Sequence, residues 1–189
     1  TFSYFVQKQV YDESGKPVEG LYADLNGDGQ VNLDDRYRYQ QADPRLFLGI
    51  NSQINIEDFS LSFVLRGNFD NYVYNNVVSN NGTYRGLTGT NNFLLNLSPN
   101  VLETGFLNNQ YFSDYYIENG SFLRLDNLTL GYNLKSLLGG STNTQISLIG
   151  QNLFTITKYS GLDPEIAGGI DNNVYPRPRI LSFGLNVSF

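Results

Sequence analysis

The clearest pattern in this chain is apolar/polar alternation sustained over runs of about ten residues. In Ile180 to Phe189, Leu181, Phe183, Leu185, Val187 and Phe189 fall on one side of an extended strand, and Ser182, Gly184, Asn186 and Ser188 fall on the other, because strand side chains alternate with period two. Leu46 to Ile56 repeats this, with Leu46, Leu48, Ile50, Ile54 and Ile56 opposed to Gly49, Asn51, Gln53 and Asn55. After a tight turn at Glu57 and Asp58, Phe59, Leu61, Phe63, Leu65 and Phe69 alternate with Ser60, Ser62, Arg66, Asn68 and Asp70, which predicts an antiparallel hairpin. Ser121 to Leu134 changes parity between Leu125 and Leu128, predicting a bulge near Asp126 and Asn127. Thr144 to Thr157 reads as a further strand with a less regular face. Phe2 to Tyr11, aromatic and β-branched but poorly alternating, reads as the first of six.

An apolar strand face meets a second sheet in a soluble sandwich, but meets lipid in a membrane barrel, whose strands need about 9–11 residues. The connections discriminate between them. They run long, short, long, short, long: after Tyr11, at Asp58, after Asp70, at Gly139 and Gly140, and after Lys158. Brief turns on one side and extended loops on the other are what a barrel requires. Six such strands leave two open edges and a bare apolar surface, so they need the rest of a larger barrel. The reading is all-β: an antiparallel transmembrane β-barrel segment of about six strands with long extracellular loops. Residues 1–189 are expected to be the C-terminal part of that barrel, ending at Phe189 on the periplasmic side.

Arg66, Asn51 and Gln53 on the polar faces then line a hydrated lumen, with Arg66 expected to pair with a carboxylate from a plug. Asn71 to Asn119 has no sustained period and reads as a long loop. Tyr72, Tyr74, Tyr111, Phe112, Tyr115 and Tyr116, near strand ends, are expected to form a girdle at the lipid headgroups; the rival reading is platforms on which sugars stack, since either use takes an amphipathic ring with one wet edge.

Composition narrows the chemistry. The chain has 189 residues and a formal net charge of -6, which disfavours a nucleic-acid partner. It has no Cys and no His, so thiol catalysis, disulfides, Ser-His-Asp triads and ordinary zinc sites drop out together, and no enzyme is expected. Asp163 and Glu165 read as solvated loop carboxylates rather than an acid/base pair.

The sharpest local motif runs from Asp24 to Asp35. Set against a twelve-residue calcium loop, Asp24, Asn26 and Asp28 take positions one, three and five, and Gly29 takes six. Gln30 offers its backbone carbonyl at seven and Asp35 takes twelve. Calcium takes hard oxygen ligands, and alternate side chains around a tight turn supply them. Asp at position twelve resembles the dockerin-type variant. The reading is a structural Ca2+ bound by a calcium-loop-like insertion, residues 24–35, in an extracellular loop; the other reading is an Asx-rich surface turn that stays empty.

Four blocks carry a resemblance: A-D-L-N-G-D-G (Ala23 to Gly29), Y-F-S-D-Y-Y-I-E-N-G-S-F-L-R-L-D-N-L-T-L-G-Y (Tyr111 to Tyr132), G-Q-N-L-F-T-I-T-K-Y-S-G-L-D-P-E (Gly150 to Glu165), and Y-P-R-P-R before the closing strand. Together they resemble the C-terminal end of the SusC/RagA family of TonB-dependent outer-membrane transporters. The resemblance implies a plugged barrel of about 22 strands in the cell outer membrane. It also implies a SusD-like surface lipoprotein as lid, and import of oligosaccharides or peptides with energy delivered through TonB. The plug and the TonB-contacting segment are not in these residues. The strand ending at Phe189 resembles the signal read by the barrel-assembly machinery. The alternative from the residues alone is a secreted, soluble, calcium-stabilised β-sandwich that binds carbohydrate.

Overall fold

The structure is a computed structural model that describes residues 3–88, 96–135, 143–172 and 175–188. Five long strands form one sheet: β1 (Leu46–Ile56), β2 (Phe59–Phe69), β3 (Phe122–Lys135), β4 (Asn143–Thr157) and β5 (Ile180–Ser188). Their spatial order is their chain order, and every neighbouring pair is antiparallel. The β1–β2 turn is tight, with Glu57 at φ 53, as a two-residue hairpin turn matching the sheet twist demands. The turn expected at Gly139 and Gly140, and the terminal Phe189 with its assembly signal, lie outside the described residues.

Register turns the alternation of single strands into two continuous faces. Ile54, Leu61, Leu130, Leu148 and Phe183 line up across all five strands, and Ile56, Phe59, Tyr132, Ile146 and Leu185 form the next row. On the opposite face Asn55, Ser60, Gly131, Ser147 and Gly184 line up, as do Gln53, Ser62, Thr129, Ile149 and Ser182. Gly131 and Gly184 leave room for the Ser60 and Ser147 hydroxyls, which a Cβ at either position would force to turn away.

The parity change in β3 is a bulge. Val64 pairs with Asn127 and Leu65 with Leu125, leaving Asp126 as the extra residue. Strand β4 answers it, since Gln151 pairs with Asn127 and Phe154 with Leu125, with Asn152 between them at φ 51. The row Ile50, Leu65, Leu125 and Phe154 therefore stays apolar. Without the bulge, Leu123 and Leu125 would turn to the polar side.

The chain divides into two units, and the five-stranded sheet is the body of one. The other, the loop unit, is drawn from 1–44, before β1, from 70–120, between β2 and β3, and from 159–175, between β4 and β5. Here the expected first strand of the wall is corrected. Phe2 to Tyr11 yields Ser3–Val6, paired with Tyr37–Gln41, and Gln9–Tyr11, paired with Pro17–Tyr22, and neither joins the five-stranded sheet. The reason is its weak alternation: Tyr4 and Val6 go into a core formed with Tyr74, Tyr116 and Ile117. A three-stranded sheet of Ile170–Asp171, Tyr72–Asn75 and Ile117–Asn119 completes the unit, with Tyr72–Asn75 in the middle.

This core is tyrosine-rich, so its hydroxyls need partners. Tyr4 donates from its phenol, which lies 2.7 Å from both the Tyr72 and Gly169 carbonyl oxygens, joining three distant segments. Gly169, at φ 75, leaves the space that this phenol occupies. Asp114 accepts from the Gln9 amide (2.9 Å) and the Tyr37 hydroxyl (2.6 Å). Glu19 accepts from the amides of Leu107 (2.8 Å) and Asn108 (2.9 Å). Tyr74 and Tyr116 are thus core residues, not members of a headgroup girdle; of the six aromatics expected there, Tyr111 and Phe112 are exposed.

Candidate functional site

Among the described residues nothing covers the apolar face of the sheet. Phe183 is 69% exposed, Leu181 74% and Ile56 65%, and Leu148, Leu130 and Phe59 are exposed too. Burying one such side chain is worth about 1.5–3 kcal/mol. A face of this breadth far exceeds the scattered apolar residues of a soluble surface.

On the polar face, the bulge builds a charged cluster. Arg66 donates to both oxygens of Asp126, Nε to Oδ2 at 2.8 Å and Nη2 to Oδ1 at 3.3 Å. Arg124 faces Arg66 across the strands, a like-charge pairing that is unfavourable unless compensated. Asp126 supplies the negative charge. The Phe122 ring takes both guanidinium groups, with centroid distances of 5.7 Å to Arg66 and 5.0 Å to Arg124, within cation-π range. Arg124 is 2% exposed and its Nε donates to the Thr155 hydroxyl at 2.9 Å. Arg66 thus takes a carboxylate from the neighbouring strand; the plug carboxylate expected for it lies outside these residues. Asp126, Arg124 and Phe122 went unassigned in the sequence, although the parity change at Asp126 marked the place.

The calcium-type motif folds as a turn closed by its own oxygens. Asp24 accepts from the amides of Gly27 (2.7 Å) and Gly29 (2.8 Å), Asn26 from that of Asp28 (2.9 Å), and Asp28 from that of Gln30 (2.8 Å). Gly27 and Gly29 have φ of 77 and 80, a conformation that favours glycine. Asp35 lies fully buried beneath this rim. The Asn32 amide, then those of Leu25 and Asn26, hold its carboxyl below the usual range against the opposing effect of burial. Asp24, Asn26, Asp28 and Gln30 are exposed. Among the described residues no group of three or more His, Cys, Asp or Glu side chains is gathered to hold a metal ion. Asp163 differs from expectation in being buried, with Oδ1 accepting from the Glu165 amide at 2.9 Å; it closes a turn rather than meeting solvent.

No protein-family model matches the chain. The TonB-dependent receptor SusC of Bacteroides thetaiotaomicron is 40% identical over 194 aligned positions, covering 99% of this chain and 19% of that receptor. The chain belongs to the SusC/RagA-type TonB-dependent receptors. TonB-dependent receptor P3 of Formosa agariphila is 29% identical, over 92% of this chain and 19% of the receptor. The structure of the RagAB peptide transporter matches with a TM-score of 0.79 and 26% identity, over 99% of this chain and 23% of that one. The RagAB peptide importer in its closed-closed state matches with a TM-score of 0.76. This chain thus spans about a fifth of the length of the curated relatives it matches. The relatives are receptors and transporters, and TonB-dependent receptors are outer-membrane β-barrels.

Proposed function

We propose that this SusC/RagA-type chain supplies wall and outer loops to an outer-membrane importer of oligosaccharides or peptides. It works with a SusD-like surface lipoprotein and is driven through TonB by parts of the receptor beyond these residues. One observation carries the reading: an apolar face five strands wide, in register and exposed. A soluble carbohydrate-binding sandwich needs a second layer there, and among the described residues none covers Phe183 or Ile56. Lipid is the solvent that suits this face, and water in a lumen suits the Ser, Asn and Gln rows.

The test is nitroxide labelling of the full-length receptor in liposomes at Leu130, Leu148 and Phe183, and at Thr129, Ser147 and Ser182. Oxygen should relax the first set and a water-soluble nickel chelate the second. Equal access to both probes along a strand would overturn the assignment.

For the loop at residues 24–35 the reading is a structural divalent cation, calcium by its hard oxygen donors. Its ligands are Asp24, Asn26, Asp28, the Gln30 carbonyl and Asp35. Support comes from the mixed rim of carboxylate and amide oxygens above a buried Asp35. Terbium luminescence on the full receptor should show a site that calcium competes for and that Asp28→Ala removes; no terbium signal would reject it.

A further inference from the structure

The loop unit encloses a cavity of about 550 Å3, within the roughly 300–1,000 Å3 usual for small-ligand pockets. The three-stranded sheet builds it. Asp171 lies in register with Asn75 on the middle strand, and Glu118 enters from the strand on the other side. The Asn75 amide donates to Glu118 Oε1 at 2.8 Å, and the Ser160 backbone amide donates to Oε2 at 2.8 Å, so this carboxylate is held in one orientation. The Tyr159 hydroxyl donates to Asp171 Oδ2 at 2.6 Å. Glu103 adds a third carboxylate, and Tyr115 and Tyr116 add rings.

Three features define what the cavity accepts. Among the described residues its lining holds three carboxylates and no Lys or Arg. Burial, with the charges of Glu103 and Glu118, pushes the Tyr115 phenol up, a sign of negative potential along this wall. Tyr116 is 1% exposed and its phenolic oxygen has no hydrogen-bond partner among the described residues, a deficit that costs about 1–3 kcal/mol when such a group stays unmatched. Val78 and Leu162 give the same cavity apolar surface, suited to the methylene stem of a long cationic side chain.

We propose that this cavity binds a short peptide through an ammonium or guanidinium group placed against Glu118, Asp171 and Glu103, with its stem on Val78 and Leu162. The proposal deepens the importer reading and rests on it in one respect, that the ligand belongs to the cargo.

The experiment is calorimetry on the full-length receptor with three probes: a lysine-containing dipeptide, the same dipeptide with its amines acetylated, and a neutral disaccharide. The lysyl peptide should bind and the other two should not. Glu103→Gln and Glu118→Gln should each weaken it about tenfold, the difference between a charge-assisted and a neutral hydrogen bond. Glu103 is on the exposed rim, so its variant reports on charge even if Glu118→Gln disturbs the loop. Disaccharide binding that these variants weaken, lysyl-peptide binding that ignores both, or no peptide binding would each overturn the proposal. Uptake of labelled cargo by cells bearing the same variants separates the two readings: transport that persists without this site leaves the importer standing, and loss of the nitroxide pattern removes it.

Discussion

Tyr74 and Phe183 are both aromatic residues on β-strands, yet the first is 9% exposed and the second 69%. Tyr74 belongs to a core of its own unit, where it meets Tyr116 edge to face and its hydroxyl lies 3.0 Å from that of Ser79. Phe183 lies in a row of five apolar residues over which the described residues place no protein layer. The difference teaches that a strand's amphipathicity says which side avoids water but not what that side meets. In the loop unit it meets protein. In the wall it requires a non-aqueous solvent, since interstrand hydrogen bonds give register but no core.

That contrast can be broken first with alkali. Burial pushes up the phenols of Tyr4, Tyr74, Tyr116 and Tyr159, and raises Tyr22 from the ordinary 10.0 to about 12. Unfolded phenols ionise first, so this stability is fully present below about pH 10 and is lost as pH rises through the folded values. Hydrogen exchange on the full receptor should show the loop unit opening between about pH 10 and 12, with amides of β2 and β3 still protected. Simultaneous loss of both would contradict the division.

Tyr116→Ala should cost the loop unit about 3–5 kcal/mol, the range for large aromatic truncations in cores, read as faster exchange at Val73 and Tyr74. The corresponding challenge to the wall is Phe183→Arg. At a lipid-facing position it should cost about 2–4 kcal/mol in a urea titration in liposomes. Ser182→Arg, one residue along and facing the other way, should cost less than about 1 kcal/mol by the same measure, since lumen positions do not meet hydrocarbon.

Tyr4→Phe keeps the ring but removes the donor to the Tyr72 and Gly169 carbonyls. About 1–3 kcal/mol should be lost, visible as local exchange around Tyr72. The smallest effect belongs to Arg66 and Asp126. The pair is partly exposed at 32% and 24%, so a double-mutant cycle with Arg66→Ala and Asp126→Ala should give a coupling of about 0.2–1 kcal/mol. A value several-fold larger would mean that the wall is drier on this side than the row of Ser, Asn and Gln implies.

The wall was largely legible because its information is local. Each of β1, β2 and β5 states its two faces through residues two apart, and even the bulge announced itself when Leu125 and Leu128 fell out of phase. The motif from Asp24 to Asp35 was legible for the same reason, since its turn bonds span at most ten residues. What failed was the reading of the tyrosines between the strands. Tyr72, Tyr74, Tyr115 and Tyr116 are amphipathic rings, equally suited to a headgroup region or a hydrogen-bonded core. Spacing does not separate the two uses.

The sequence by itself determined that long strands would carry one apolar and one polar face, and where the phase would slip. These follow from backbone periodicity and contacts within a few residues. Only the tertiary structure decided that Asp126 serves Arg66, that Phe2 to Tyr11 leaves the wall, and that Glu118 and Asp171 share a cavity. Those outcomes depend on partners far apart along the chain, as with Tyr4 and Gly169, 165 residues apart. Loop closure over such distances is decided by the sum of the packing it enables, which no local pattern encodes.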